Sequence, residues 1–212
     1  MEPSTSREES LLAGTPVLFH PFHGENIELL EHRRRALRRV SFEKGVVFSE
    51  RALLEGECFF VSIEGVEGGW SGHLRIGLTT VDPETRPSIM SLDSNSWLFS
   101  ISPFIVPFQS PLTRSLPTEK GSLIGVYYEK SIGTPRIHVV LNDFDICPNF
   151  GPVPTDQPFF AVVDVFGSTK EVCYYLPLLE RNIRSFYFHP CISLAVLGGS
   201  GGAHFASGEH TH

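Results

Sequence analysis

The sequence predicts an all-β fold, specifically a two-sheet antiparallel β-sandwich, and three observations support this prediction. The chain has 19 Gly and 16 Pro in 212 residues, yet 41% of its residues are hydrophobic, which is typical of short strands separated by many turns. It has 17 Phe and only 2 Met, and aromatic residues favour strands. Turn residues also recur between short apolar segments along most of the chain.

Ten segments have this strand pattern, in order along the chain. The predicted strands are Val17–Phe22, Ala36–Phe42, Val46–Ser49, Cys58–Ile63, His73–Thr79, Trp97–Ile101, Leu123–Glu129, Arg136–Leu141, Phe159–Phe166 and Glu171–Tyr175.

The alternation of apolar and polar residues predicts which way several strands face. Every second residue of His73–Thr79 is apolar, beginning at Leu74, and Arg136–Leu141 alternates in the same way from Ile137. These rows should face the core of the sandwich. In Phe159–Phe166 both rows are largely apolar, which predicts a central strand covered on both faces.

The chain divides into three parts. Residues 1–15 are polar, and we expect them to be disordered. Residues 16–176 contain the predicted sandwich, and 177–212 form an irregular C-terminal tail. Two long uncharged stretches, Ser94–Thr113 and Ser185–Gly208, are interrupted by prolines or too short in their apolar part to span a bilayer. We therefore expect no membrane insertion.

Charge and cysteine content narrow the class of protein further. With 17 basic and 24 acidic residues the net charge is −7, which argues against a nucleic-acid-binding domain, because phosphates require a basic face. The N-terminal residues lack the apolar core of a signal peptide. We expect a cytoplasmic protein with reduced thiols, and the four cysteines form no CxxC pair. They are Cys58, Cys147, Cys173 and Cys191.

Motifs for metal binding or catalysis are weak. His20 and His23 lie close together but lack a third ligand at a suitable spacing. The segment Asn142–Asp145 lacks the glycine of a calcium loop, so we interpret it as a tight turn. A G-x-S-x-G match at Ser200 lies in the predicted tail rather than at a strand-to-helix elbow. The sequence therefore predicts no metal, no cofactor and no catalytic residue, and a hydrolase using Ser200 is a minor alternative.

Two features have both a structural and a functional interpretation. The basic run His32–Arg39 contains five arginines. It is either a solvated turn leading into a strand or a docking site for an acidic protein, a phosphorylated segment or a nucleic-acid backbone. Trp70 lies between glycines in EGGWSGHLRIG. It either anchors the core or its rim, or it is an exposed aromatic residue on a binding surface.

Six segments follow one another in the order of a Neuralized homology repeat. They are FHPFHGENIEL, RRVSFEKGVVFSERAL, GWSGHLRIGLTTVDP, SWLFSI, RIHVVLNDFDICPNFGPVP and PFFAVVDVFGSTKEV. Over about residues 16–175 the chain resembles this family, and the third and last segments are the most specific. The resemblance implies a SPRY-like, concanavalin-like sandwich that recognises a target protein.

The resemblance also implies a role in ubiquitination. In this family a second module supplies ligase function: a RING finger in some members, or a SOCS box that recruits Elongin B and C and a cullin in single-repeat adaptors. Neither is recognisable in 177–212, and a RING needs eight zinc ligands. The adaptor function belongs to the recognised repeat, so the resemblance implies the substrate-recognition subunit of an Elongin BC–cullin–SOCS-box E3 ubiquitin ligase. A ligase-incompetent module that competes with the full adaptor is the main alternative, and a carbohydrate-binding sandwich is a weaker one.

Specificity should reside in loops at one end of the sandwich, since rigid sheets support variable loops. The candidate loops are Val66–Trp70, Asp82–Asp93, Ser131–Pro135 and Asp145–Asp156. The candidate protein-binding residues are Trp70, Arg75, Asp82, Arg86, Asp143, Asp145 and Asn149, together with Arg33, Arg34 and Arg35 of the basic run.

Overall fold

The structure, a computed structural model, describes residues 15–86, 92, 95–103, 116–130, 135–142, 144–154 and 156–176. The predicted tail, 177–212, and nearly all of the predicted disordered N-terminus lie outside these residues. The described strands are β1 Phe19–His23, β2 Ile27–Leu30, β3 Arg35–Arg38, β4 Val46–Ser49, β5 Phe59–Val66, β6 Arg75–Thr79, β7 Ser96–Ser100, β8 Leu123–Lys130, β9 Pro135–Leu141, β10 Phe144–Ile146, β11 Phe160–Asp164 and β12 Thr169–Tyr175, with a 3-10 helix at Pro83–Thr85.

These strands form two antiparallel sheets, and the predicted two-sheet sandwich is confirmed. The first sheet has the order β1-β4-β11-β6-β7, and the second has the order β10-β9-β8-β5-β12-β3-β2. All ten predicted strands are present, while β2 and β10 were not predicted. The predicted strand Ala36–Phe42 was too long. Its strand part ends at Arg38 because the chain turns, with positive φ angles at Ser41 and Lys44.

One apolar core fills the space between the sheets. The row formed by Leu74, directly before β6, and by Ile76 and Leu78 on β6 is completely buried, as the alternation predicted. Phe159 joins the two sheets, because its ring centroid lies 5.9 Å from that of Trp97 on β7 and 4.9 Å from that of Tyr128 on β8. Burial of such large rings is the main source of stability in a fold of this kind.

Strand β11 is covered on both faces, as the sequence predicted. It is the middle strand of the five-stranded sheet. Ala161 and Val163 belong to the core between the sheets. Val162 points the other way and packs in a separate apolar cluster with Phe48 and Leu92. Within the parts of the chain that the structure describes, no helix has the length and apolar character needed to cross a bilayer.

Three loops meet at one end of the sandwich, which we call the aromatic end: 39–45, 67–74 and 165–168. Backbone hydrogen bonds tie them together. The amide of Gly167 donates to the carbonyl of Phe42 at 2.9 Å, and the amide of Ser168 donates to the carbonyl of Gly72 at 3.0 Å. The amide of Glu67 donates to the carbonyl of Ser168 at 2.8 Å. The loops therefore form one connected surface.

Two glycines allow this close approach. Gly72 and Gly167 have φ angles of 80° and 60°, a region that favours glycine. A Cβ on Gly167 would lie 2.4 Å from the carbonyl oxygen of Gly72, and a Cβ on Gly72 would lie 2.7 Å from the ring of Phe166. Neither position accommodates a side chain without movement of the neighbouring loop.

A buried arginine lies beneath the same loops. Arg38 is only 1% exposed, and its Nη2 donates to the carbonyl of Gly167 at 2.6 Å and to that of Thr169 at 3.1 Å. Asp164, at the end of β11, is also buried. It accepts from Nε of Arg75 at 2.9 Å and forms an ion pair with that guanidinium. The buried charged side chains of Arg38 and Asp164 thus stabilise the turn between β11 and β12.

The first prediction concerns the contact between the glycines. Gly167→Ala should lower the free energy of unfolding by about 1–3 kcal/mol, because the new Cβ combines an unfavourable positive φ with a backbone clash. Urea unfolding followed by circular dichroism measures the change. Gly68→Ala is the matched control, since it lies in the neighbouring loop with no atom within 4 Å of its Cβ position. Equal stability of the two variants would contradict the prediction.

The second prediction concerns the pH dependence of stability. Burial raises the pKa of Asp164 above its ordinary value, although Arg75 opposes the shift. Since the folded pKa exceeds the unfolded one, the native state binds the proton more tightly, and this stabilisation is lost as pH rises through the folded pKa. The stability advantage of the wild type over Asp164→Asn should therefore be larger at pH 4 than at pH 7.

Urea unfolding at both pH values tests this, with Asp156→Asn, an exposed position, as the control for a general change in charge. If the advantage of the wild type instead increased towards neutral pH, the ion pair with Arg75 would dominate over burial.

Candidate protein-binding surface

The aromatic end carries a cluster of three rings, two of them exposed and the third half-buried. Trp70 is 41% exposed, and its ring centroid lies 5.1 Å from that of Phe42, which is 36% exposed. Phe166 packs against the other side of Phe42 at 5.8 Å, nearly perpendicular to it. The Arg75 guanidinium lies over the Phe166 ring, 4.5 Å from its centroid, a cation–π contact that fixes this ring further.

Trp70 is held in place by the loops around it. Its carbonyl accepts a hydrogen bond from Oγ of Ser168 at 3.0 Å. Glu67 forms an ion pair with Lys170, Nζ to Oε1 distance 3.1 Å. This ammonium, together with a hydrogen bond from Trp70, holds the pKa of Glu67 below its usual value. The indole is therefore partly exposed on a structured support, and its role in binding a partner stays a prediction.

Two aliphatic residues extend the apolar area. Val40, which lies in the loop 39–45, is 61% exposed, and Val66, which directly precedes the loop 67–74, is 50% exposed. Singly exposed apolar residues are common on protein surfaces, but a group of them around a tryptophan is typical of binding sites. This end can therefore bind a partner through apolar contact.

The four predicted loops do not lie at one end, so that prediction is wrong. Val66–Trp70 belongs to the aromatic end. The other three loops begin or end at the opposite end of the strands. Lys130 pairs with Pro135 at that end. Phe159, which precedes β11 at the same end, accepts a hydrogen bond from the amide of Leu53. In an antiparallel sandwich, the end at which a loop lies depends on the number of strands before it. The sequence therefore does not show that end when some of those strands are not predicted.

Asp82 and Arg86 have local roles in the described structure. The carboxylate of Asp82 accepts a hydrogen bond from the amide of Glu84 at 2.9 Å and caps the 3-10 helix. Arg86 ends that helix with a positive φ of 51°. Asn149 similarly accepts a hydrogen bond from the amide of Gly151 at 3.2 Å. Asp143 lies outside the described residues.

Asp145 is a buried structural residue, which corrects its prediction as a loop contact. It lies on β10, and its side chain is 8% exposed. It accepts from Oη of Tyr127 at 2.7 Å and lies 3.2 Å from Nδ1 of His138. Burial, together with this carboxylate, raises the pKa of Tyr127. The segment Asn142–Asp145 was interpreted as a turn only; the strand β10 begins within it.

The basic run forms a turn followed by β3, as its structural interpretation predicted. Arg33 is paired with Glu50 at 2.7 Å, and Arg35 lies 3.3 Å from the carboxylate of Glu171. Arg34 is exposed and has no ion pair among the described residues. The run is therefore largely neutralised by the protein's own carboxylates and offers little free positive charge.

The two histidines of the first motif lie on β1 and line a cleft of about 360 Å³ with Pro83, Glu84 and Arg86. Nδ1 of His20 accepts from the amide of Phe22 at 3.0 Å, so Nε2 carries the proton and donates to Glu84 at 3.0 Å. Among the described residues, no three His, Cys, Asp or Glu side chains cluster as metal ligands.

The sequence did not lead to a prediction of Phe42, Phe166 and Val40 as residues of this surface. The signal for Phe42 and Val40 was available, because RRVSFEKG places apolar residues in a turn of charged ones. Phe166 could not be found in this way, since its exposure and its contacts depend on how the loop 165–168 meets 67–74. The two most specific segments of the resemblance, GWSGHLRIGLTTVDP and PFFAVVDVFGSTKEV, meet at this contact.

Comparisons with known proteins agree with this architecture. The family model described as Neuralized matches residues 19–175. Neuralized-like protein 2 of Mus musculus is 31% identical over 80% of this chain and 82% of the relative. E3 ubiquitin-protein ligase NEURL1B of Mus musculus is 31% identical over 78% of this chain but only 29% of its own length.

Solved structures show the same fold. The crystal structure of the Drosophila melanogaster Neuralized NHR1 domain matches with a TM-score of 0.59 and 20% identity, covering 77% of this chain and 99% of that domain. The solution structure of the NEUZ (NHR) domain of the same protein matches with a TM-score of 0.56 and 21% identity, over 76% and 92% of the two chains. The family model and the sequence relatives together show that this chain belongs to the Neuralized family.

Proposed function

We propose that this chain is the substrate-binding subunit of an E3 ubiquitin ligase, and that it presents a bound target protein for ubiquitination. The relatives support the proposal, because two of them are named E3 ubiquitin-protein ligases, NEURL1B and NEURL3. The match covers less than a third of NEURL1B. What this chain shares with that ligase is therefore the sandwich rather than the whole enzyme.

The observation that carries the proposal is the exposed aromatic cluster on three interlocked loops. Tryptophan is among the residues that contribute most to protein–protein binding, because it combines a large apolar area with few rotatable bonds. Trp70 is exposed, and its loop is fixed by hydrogen bonds from 165–168. A preorganised ring loses little conformational entropy on binding, which favours affinity.

The chain acts as an adaptor in this proposal and supplies no catalytic group. Target binding belongs to the aromatic end, and ubiquitin transfer belongs to a ligase core recruited through Elongin B and C and a cullin, in the cytoplasm. The recruiting element would lie in 177–212, which follow β12. The competing proposal keeps target binding and lacks recruitment, so that the chain competes with complete adaptors.

The third prediction tests recruitment. Full-length chain co-expressed with Elongin B, Elongin C and a cullin should co-purify with all three in equal amounts through affinity and size-exclusion steps. The segment Leu176–Leu179 contains the Leu-Pro pattern closest to a cullin box in this tail. The double variant Leu178→Ser, Leu179→Ser should lose the cullin, because two apolar side chains of the proposed contact segment are replaced by polar groups.

Circular dichroism of the double variant serves as the control for folding of the sandwich. If the wild-type chain captures neither Elongin protein while it still binds its target, the adaptor proposal fails and the competing module stands.

A further inference from the structure

The charged groups around the aromatic end are paired with one another. Arg39 is paired with Glu28 and Lys44 with Glu25, each at 2.7 Å. Both cations belong to the loop 39–45. At the other two loops, Lys170 is paired with Glu67, and Arg75 with Asp164. Each of these four cations therefore has a carboxylate partner.

Few charges remain for a partner to contact. Arg38 is buried beneath the loops and bonded to backbone carbonyls. In the three loops Glu43 is the one carboxylate without an ion pair among the described residues. Burial lowers the pKa of His73, also in these loops, and so favours its neutral form. The surface therefore offers apolar area with almost no free charge.

The geometry of the rings favours insertion of a single apolar side chain. The Phe42 ring contacts both of the others, with its centroid 5.1 Å from that of Trp70 and 5.8 Å from that of Phe166. Val40, in the loop 39–45, and Val66, directly before the loop 67–74, are more exposed than Trp70 and Phe42. An aromatic or aliphatic side chain of a partner, placed against these rings, would gain dispersion energy and would also bury apolar area.

We propose that the aromatic end binds an uncharged segment of a target protein, through an aromatic or aliphatic side chain placed against Trp70 and Phe42. The inference rests on the proposed function and specifies its partner. Because the rim charges already neutralise one another, binding to this end depends little on ionic strength. Docking on Arg33, Arg34 and Arg35, at the opposite end, would be weakened by salt.

The fourth prediction uses random peptides of about twelve residues, displayed on phage and selected on the full-length chain. Selected peptides are synthesised with a fluorophore, and their Kd is measured by anisotropy in about 50 mM and about 500 mM NaCl. We expect uncharged sequences containing Trp, Phe, Leu or Ile, with Kd changing by less than about twofold between the two salts. Trp70→Ala should weaken binding by at least about tenfold.

Tyr175→Ala is the matched control, because this aromatic side chain is also 41% exposed but lies at the opposite end, where β12 ends. It should change Kd by less than about twofold. Val40→Asp is the second test variant. It places a charge at a highly exposed position, so that the protein folds normally while the apolar area is interrupted, and it should also weaken binding by about tenfold. Near-UV circular dichroism confirms the fold of each variant.

Three outcomes overturn the inference. They are selection of charged peptides whose affinity falls about tenfold in high salt, selection of no peptide whose binding depends on Trp70, and a dimer in sedimentation that Trp70→Ala converts to monomer. The last result would show that the aromatic end binds a second copy of this chain rather than a target protein. All three leave capture of Elongin B and C unaffected, so failure of this inference and failure of the ligase proposal are distinguishable.

Discussion

The aromatic end depends on one buried charge, the guanidinium of Arg38. It is almost fully enclosed, and it holds the carbonyls of Gly167 and Thr169 at the turn between β11 and β12. Burial lowers the pKa of Arg38, while the carboxylates of Glu67 and Asp164 act in the opposite direction. A cation enclosed in this way is costly unless its surroundings satisfy it. Removing it would leave two carbonyls without their donor and would free the turn that supports Phe166.

The rest of the molecule divides into a rigid frame and this supported surface. The frame consists of the two sheets and the core between them. Polar contacts as well as apolar ones stabilise the edge of the larger sheet. On the outer face of the larger sheet, the Tyr127 ring stacks on His138 at 4.6 Å, and both side chains contact Asp145. These bonds hold the short edge strand β10 against β9. Specific polar contacts of this kind define a strand's position where its apolar area is too small to do so.

Much of the frame could be predicted from the sequence, because its strands alternate regularly or are apolar throughout. Strands β2 and β10 could not be predicted, since they have only four and three residues and occupy the two edges of one sheet. The site was predicted only in part. Trp70 stands out as a tryptophan among glycines, but its neighbour Phe42 comes from a loop far away in sequence. Arg38 looked solvated within the basic run, although a period of two places it on the same buried face as Ala36.

The long sequence separation within the aromatic end has a consequence for the order of folding. Arg38 and Gly167 are 129 residues apart, and Ser168 and Trp70 are 98 apart. Contacts of such high separation form late and slowly, because the loop-closure entropy is lost before they are made. During synthesis on the ribosome, β3 to β6 emerge long before the turn that joins them. A nascent chain therefore completes the aromatic end only once the residues up to β12 have been made, so the proposed target-binding surface is absent from an incomplete chain.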